Sequence, residues 1–381
     1  MEARRVLIYR NELLPPSETF ILSQANALRR FRPWFGGLTR VGNGLDLSFH
    51  QVVTLCGRES QKEKARRRAF LRTACNRKLV RAIAEWSPHV IHAHFAVDAC
   101  AVLPIARLLN IPLVVTLHGY DVTSCEDTLR QWPTTRAYLR RKEELWKYAT
   151  AFLCVSEHVR RCAVFSGFPS EKLRVQRIGV PLHDADEKVH LRDKRVVLFV
   201  GRLVEKKGCV HLIRAMSHVQ RASPGTKLVV IGDGPLRKTL EQEAAQHCRN
   251  VSFLGFQSQA EVKRWMQHAC VLAVPSMRAS NGDTEGLSTV TCEAQAVGLP
   301  VAAFATEGVT EAFPEERRPS LSKEGDIASL SEQILHLMKD DAAWHEASLT
   351  GRRYMETHFD LAAQTRLLED KYEEIIARPH G

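Results

Sequence analysis

No apolar run in this sequence approaches the ~18–20 residues that a membrane-spanning helix needs. The start, MEARRVLIYR, is a charged lead into a strand-like run and lacks the apolar core of a secretory signal. A cytosolic protein is therefore expected. Cysteine is present but never clustered. Cys56, Cys75, Cys100, Cys125, Cys154, Cys162, Cys209, Cys248, Cys270 and Cys292 are scattered with no close pairs, whereas zinc or redox chemistry needs ligands brought together. Several lie in apolar runs such as AFLCVS and HACVLAV, so most are expected to be reduced and buried as small hydrophobes. Cys292 stands near an acidic motif, but no obvious base lies beside it to make a thiolate. Aromatic residues are only 7% of the chain and mostly look core-placed, whereas a nucleic-acid-binding surface would want them interleaved with basic residues on an exposed face. No nucleic-acid partner is expected. No Asp-x-Asp is placed like a metal-binding motif, because the DAD at Asp184–Asp186 falls in a polar stretch between domains. Neither a metal nor a cofactor is expected.

What the chain does have is length and positive charge. Its 381 residues suit two domains of roughly 150–200 residues. The net charge of +11 points to acidic partners: phosphates, nucleic acid or an anionic membrane. Part of that charge is concentrated between Arg58 and Arg81, which includes Lys62, Lys64, Arg66–Arg68, Arg72, Arg77 and Lys78. Phe70, Leu71, Ala74, Leu79 and Ile83 thread through it at roughly helical spacing. Two readings stand side by side: a core helix with a solvated basic face, and a helix resting on an anionic membrane surface.

Short β-branched apolar runs alternate with longer amphipathic ones, the pattern of parallel α/β architecture. Expected strands in the first half are RRVLIY, QVVTLC, HVIHAH, PLVVTLHG and TAFLCVS. Helical patterns such as SETFILSQANALRR and VDACAVLPIARLL fall between them. A polar stretch near residues 181–194 breaks the alternation, which restarts with RVVLFVG, KLVVIG, NVSFLG, CVLAVPS and LPVAAF. The expected organisation is residues 1–180, a linker 181–194, residues 195–358 and a last amphipathic helix within 359–381. Both domains should be doubly wound and face each other across a cleft. Ligands bind such sheets outside the carboxyl ends of the strands, so the chemistry should sit in the turns after strands.

Three of those turns stand out. Gly201–Gly208 (GRLVEKKG) places Arg202 and Lys207 between a strand and a helix start, where a planar fork and a mobile point charge suit a diphosphate. Gly232–Pro235 (GDGP) is either a tight turn or, through Gly234, a close backbone approach to a ligand. Phe256 ends another strand, where a base could rest. In NGDTEGLSTVTCEA, Glu285 stands just outside a helix expected to begin near Ser288–Thr289, and Glu293 stands inside it. Free N–H groups at Gly286, Leu287, Ser288 and Thr289 suit an anion. Carboxylates instead accept paired hydrogen bonds from vicinal hydroxyls. A phosphate between two polyols is a nucleotide sugar.

The acid pair in EGLSTVTCEA, with GRLVEKKG and IGDGP, resembles glycosyltransferase family 4, retaining enzymes of the two-Rossmann-domain GT-B fold. ASNGDTEG, SETFILSQ, VIHAHFA and TLHGYDV look most like the exopolysaccharide and lipopolysaccharide transferases of bacteria. The resemblance runs over essentially the whole chain. It implies that Glu285 contacts donor-sugar hydroxyls, Glu293 the ribose diol, and Arg202 and Lys207 the diphosphate. It also implies that the final helix crosses back to the first, acceptor-side domain, and that His118 touches the donor sugar near the reacting carbon. Acceptor-side candidates are His94, Asp121, Ser17 and Glu18, and His92 is expected to pack inward. The family's Gly-Gly loop after the first strand is replaced by Asn11–Pro16, and in Ala305–Glu311 only Gly308 and Glu311 match the family pattern. The implied reaction moves a hexose from a UDP- or GDP-sugar to a lipid-linked or saccharide acceptor, by same-face attack with the leaving phosphate taking the acceptor proton. A small natural-product acceptor and a nucleotide-sugar epimerase of the same fold are the alternatives.

Overall fold

A computed structural model describes residues 3–56, 77–182 and 192–377, and the chain divides into two compact units. One contains residues 1–179 with 361–381, the other residues 180–360. Most of the basic stretch 58–81 and the DAD at 184–186 lie outside the described residues.

The first unit is built on β1 (Arg4–Leu13), β2 (Phe31–Arg40), β3 (Val52–Thr54), β4 (Val90–His94), β5 (Leu113–Leu117), β6 (Ala151–Cys154) and β7 (Leu173–Val175). All pair in parallel, in the order β3-β2-β1-β4-β5-β6-β7. The strand order reverses between β1 and β4, which opens a crevice at their carboxyl ends. The strands β2 and β7 are absent from the sequence reading. In FRPWFGGLTR a proline and two glycines depress strand propensity, yet β2 forms because Pro33 precedes the stretch where β3 pairs, which begins at Phe35↔Val52. The strand β7 is three residues long, too short to show a period.

The described part of the basic stretch begins the helix Arg77–Trp86, which buries Leu79, Ile83 and Trp86 and leaves Arg77, Lys78 and Arg81 exposed. Those three buried side chains belong to the protein core. Of the nine cysteines described, all are reduced and seven are buried, including Cys292, while Cys162 is half-buried and Cys125 exposed.

The C-terminal helix, Leu361–Ala377, belongs to the first unit. Leu368, Tyr372 and Ile375 enter its core with Val6, Ile8, Phe31 and Val114, each fully buried apolar side chain contributing about 1.5–3 kcal/mol. A polar lock adds direction. The buried carboxylate of Glu369 accepts from the backbone N–H groups of Arg29 (2.8 Å), Arg30 (2.6 Å) and Phe31 (3.2 Å), where the chain enters β2.

The second unit is built on β8 (Asp193–Val200), β9 (Lys227–Ile231), β10 (Val251–Gly255), β11 (Ala269–Val274) and β12 (Val301–Ala303). Its parallel order is β10-β9-β8-β11-β12, with the reversal between β8 and β11. Helix Cys209–Ala222 buries Leu212, Ile213, Met216 and Val219 against Val197, Phe199, Leu228 and Val230. Helices Ile327–Lys339 and Asp341–His358 add Leu330, Ile334, Leu337 and Trp344, whose indole N–H donates to the Cys270 carbonyl at 2.7 Å.

Removing the lock should loosen the first unit. Glu369→Ala leaves three N–H groups without their charged acceptor and should cost about 2–4 kcal/mol of stability. Urea unfolding followed by hydrogen exchange at Phe31 and Tyr372 checks it. Unchanged protection at both would show that the lock contributes nothing.

Candidate functional site

In the second unit the loops leaving β8 and β11 are neighbours because the strand order reverses there. The first is Gly201–Gly208, containing a single 3-10 turn at Glu205–Lys207. Its last residue has φ 63°, and a Cβ there would stand 1.8 Å from the Pro275 carbonyl oxygen. Only glycine combines that backbone conformation with that contact. The close approach brings the Glu-Lys-Lys turn against the loop after β11. Met277 N–H donates to the Lys206 carbonyl at 2.8 Å. Glu205 accepts from the backbone N–H and hydroxyl of Ser280, at 2.9 and 2.8 Å. Lys206 Nζ lies 3.0 Å from Asp283 Oδ2.

The centre of this arrangement is an ion pair: Lys207 Nζ stands 2.8 Å from Glu285 Oε1, with side chains 19% and 8% exposed. Glu285 is held from behind by a second close backbone approach. A Cβ at Gly308 would fall 1.8 Å from the Glu285 carbonyl oxygen, and Ser288 N–H donates to the Gly308 carbonyl at 3.1 Å. This accounts for the match at Gly308 within Ala305–Glu311.

The two acids differ electrostatically. Burial pushes the Glu285 carboxyl up, but Lys207, Lys206 and Arg202 together outweigh it and hold the group below its ordinary value. Burial also acts on Glu293, and there only Lys207 opposes it, so its carboxyl is pushed up to about 7. Glu293 keeps partial exposure, so a desolvated acid is still open to a ligand. Two carboxyls pushed apart near the same lysine have different tasks.

Helix Thr289–Ala296 starts where the sequence places it. Its first N–H groups are less free than the sequence implies. Thr289 N–H donates to the Leu287 carbonyl at 3.0 Å and Thr291 N–H to the Ser288 carbonyl at 3.1 Å, while the buried Ser288 hydroxyl pairs with that of Thr291 at 2.8 Å. Gly286 and Leu287 are buried at the turn itself. The structure thus gathers Arg202, Lys207, Glu285, Glu293 and the turn 286–289. Arg202 is exposed. Gly234 packs against the backbone of Leu203 and supports the loop after β8. Phe256, 60% exposed, follows β10, two strands away from β8, and is not drawn into the cluster. The sequence reading missed Lys206 and Asp283. Their opposite charges flank Lys207 and Glu285 in the chain, but nothing in one dimension shows that the two loops meet.

In the first unit a second cluster sits at the reversal between β1 and β4. His94 ends β4 and His118 follows β5, with His94 Nδ1 2.9 Å from His118 Nε2. His92 packs inward as expected, its Nδ1 2.5 Å from the Tyr372 hydroxyl and its Nε2 2.6 Å from that of Thr116. Glu18 is engaged by Arg10, at 2.9 Å from Nε and 2.5 Å from Nη2. Arg10 also pairs with Asp98, which accepts from Asn11 N–H and Nδ2, both at 2.7 Å. Asp121 is 2% exposed and accepts from Ala96 N–H at 3.0 Å and Gly119 N–H at 3.1 Å. Burial outweighs these bonds and pushes its carboxyl up to about 6. Glu18 and Asp121 therefore hold neighbouring groups in place, and Ser17 is exposed. Arg10 and Asp98 were missed: Arg10 lies on β1 and Asp98 in the first turn of the helix that follows the neighbouring strand β4, 88 residues later in the chain. Among the described residues no group of three or more His, Cys, Asp or Glu side chains could hold a metal ion, and no helix is long and apolar enough to cross a membrane.

The Glu293 carboxyl sets a sign for pH. A folded-state value raised from 4.5 to about 7 favours folding fully below the unfolded value, and that contribution is lost as pH rises through about 7. Glu293→Gln should flatten the fall in stability between about pH 5 and 8, read as the urea midpoint of the second unit. An identical slope in both proteins would contradict the assignment.

The family model described as Glycosyltransferase Family 4 matches residues 38–184, and that described as Glycosyl transferases group 1 matches residues 183–353. The amylovoran biosynthesis glycosyltransferase AmsK of Erwinia amylovora is 27% identical over 295 residues, 75% of this chain and 70% of that protein. A GDP-mannose-dependent phosphatidylinositol monomannoside mannosyltransferase of Corynebacterium glutamicum is 34% identical over 168 residues, 43% of each chain. Among solved structures, Anabaena HepE in complex with UDP and glucose superposes with a TM-score of 0.76 at 18% identity, covering 97% of this chain and 100% of that one. The architecture is that of GT-B glycosyltransferases, and with its two halves matching the family 4 and group 1 models in succession, the chain belongs to the glycosyltransferases.

Proposed function

We propose that this glycosyltransferase moves a hexose, with retention at the anomeric carbon, from a nucleoside-diphosphate sugar to a hydroxyl of a lipid-linked or saccharide acceptor in polysaccharide assembly. The observation that carries the reading is the Lys207–Glu285 pair beside Glu293, at the strand-order reversal of a nucleotide-binding type of sheet. The donor's diphosphate would draw Lys207 and the exposed Arg202 to itself. Glu285 is then left to accept from sugar hydroxyls and Glu293 from the ribose diol. Departure of the diphosphate is the hard step, and each preorganised donor aimed at its growing charge is worth about 3–4 kcal/mol. No metal or cofactor enters this reading, since Arg202 and Lys207 supply the positive charge.

The first unit would serve the acceptor on its crevice, with the partly exposed His118 as the catalytic histidine and the 2% exposed His94 behind it. Acceptor class is argued from relatives: AmsK is named for amylovoran biosynthesis and the corynebacterial protein for a lipid-linked mannoside. The same comparisons leave the base as UDP or GDP, since HepE was solved with UDP and the corynebacterial protein is named for GDP-mannose. A cytoplasmic enzyme working at the inner face of the membrane, with the basic stretch 58–81 toward anionic lipid, fits such an acceptor.

The test is a thermal-shift and calorimetry panel of UDP, GDP, ADP and dTDP sugars. One base should stabilise the wild type, and Glu293→Ala should weaken that binding about 10- to 100-fold, the loss of one or two hydrogen bonds to a charged group. Arg202→Ala should lower kcat by about 10²–10³. If no sugar nucleotide raises the melting temperature, the donor site is wrong. Hydroxyls donating to Glu293 favour its ionised form, so binding near pH 6.5 should release a proton. Calorimetry in buffers of different ionisation enthalpy detects that release, which Glu293→Gln should abolish. Acceptor-free turnover of the donor would instead identify an epimerase.

A further inference from the structure

The histidine pair of the first unit carries more than its position. His94 is 2% exposed, and its Nδ1 meets His118 Nε2 at 2.9 Å with the rings 24° from parallel. Phe20 and Phe95 flank the His118 ring, at 5.1 and 4.5 Å between centroids. Burial, the neighbouring imidazoles and Arg10 keep both rings neutral, well below the ordinary histidine value. Two neutral imidazoles sharing one hydrogen bond need one N–H and one lone pair at the contact.

The remaining nitrogen of His94 decides which is which. Nε2 of His94 is buried without a hydrogen-bond partner among the described residues. If the proton sat there, a buried N–H would lack an acceptor, the costlier group to leave unpaired. If it sits on Nδ1, only a lone pair is left over. His94 is then the donor and His118 the acceptor at Nε2, so the single proton of His118 lies on Nδ1. That nitrogen meets no protein acceptor among the described residues, and His118 keeps partial exposure.

We propose that His94 is a positioning residue. It donates its Nδ1 proton to Nε2 of His118 and fixes His118 as the neutral Nδ1–H tautomer, a hydrogen-bond donor for an oxygen of the substrate. The substrate half of this inference rests on the glycosyl-transfer reading above, and the tautomer half does not. Loss of the His94 donor leaves His118 Nε2 without its partner, so the ring is no longer held in one orientation with its Nδ1–H toward the substrate. An asparagine at position 94 carries an amide N–H₂ near the place of Nδ1 and has no counterpart of the orphaned Nε2.

The experiment uses the full chain with ¹⁵N-labelled histidine, the His118 signals assigned by their loss in His118→Gln. The wild type and His94→Asn should both show His118 protonated at Nδ1. His94→Phe keeps an aromatic ring beside His92 and should strip from His118 Nε2 the nitrogen signature of a hydrogen-bonded acceptor, which His94→Asn should retain. The kcat of His94→Phe should fall about 10- to 100-fold, the loss of one oriented hydrogen bond to the substrate, with KM for the donor unchanged and His94→Asn close to wild type. A wild-type His118 protonated at Nε2 overturns the proposal. So does His94→Phe turning over as fast as wild type. Should His94→Phe fail to fold, the wild-type and His94→Asn spectra still decide the tautomer. An Nδ1–H His118 in a protein that releases no nucleoside diphosphate from any sugar nucleotide would remove the substrate half and the function together, and would leave the His94–His118 geometry confirmed.

Discussion

A lysine and a glutamate taken largely out of water, Lys207 and Glu285, are the interaction on which the second unit's site turns. A pair this enclosed persists only if its surroundings hold it, because desolvation works against both charges. The surroundings are specific. Gly208 lets the Glu-Lys-Lys turn press on Pro275, and Gly308 lets the backbone of Glu285 settle behind it. Lys206–Asp283 and Glu205–Ser280 tie the two loops together on either side. The pair stores a ready cation and a ready anion at one spot, which a ligand carrying both phosphate and hydroxyls can separate and use.

The same surroundings divide labour between the two acids. Glu285 faces three cations and stays ionised, whereas Glu293 feels mainly burial and sits near neutrality. The difference is one of position: Glu293 lies inside helix Thr289–Ala296 and Glu285 lies on the loop before it. In the first unit neutrality is achieved differently. His92, His94 and His118 stack along the ends of β4 and β5, where burial keeps all three neutral and the neighbouring imidazoles add to it at His94. Tyr372 of the last helix completes that stack from the far end of the chain.

Much of the fold was legible because parallel strands buried on both faces read as short continuous apolar runs. RRVLIY, HVIHAH, PLVVTL, RVVLFV and CVLAV all became strands. The strand β2 was not legible, since Pro33, Gly36 and Gly37 look like a loop until β1 is laid beside them. The candidate site was legible where spacing carries chemistry, in Arg202, Lys207, Glu285 and Glu293. It was illegible where charge pairs close between segments far apart in the chain, as in Lys206–Asp283 across two loops and Arg10–Asp98 between a strand and a helix. The helix N–H groups at 289–291 show the opposite error, for the turn before the helix uses some of them internally.

Residue types and their order determined the α/β alternation, the helix start at Thr289 and the presence of cations and acids after strands. These follow from local physics: hydrophobic period, turn chemistry and the charge of single side chains. Tertiary structure alone decided that Glu369 would cap three N–H groups more than 300 residues earlier in the chain. It alone decided that Glu293 would be half-protonated near neutral pH, and that His94 would turn its Nδ1 to His118. Protonation and pairing depend on distance and burial, and both are properties of the folded chain.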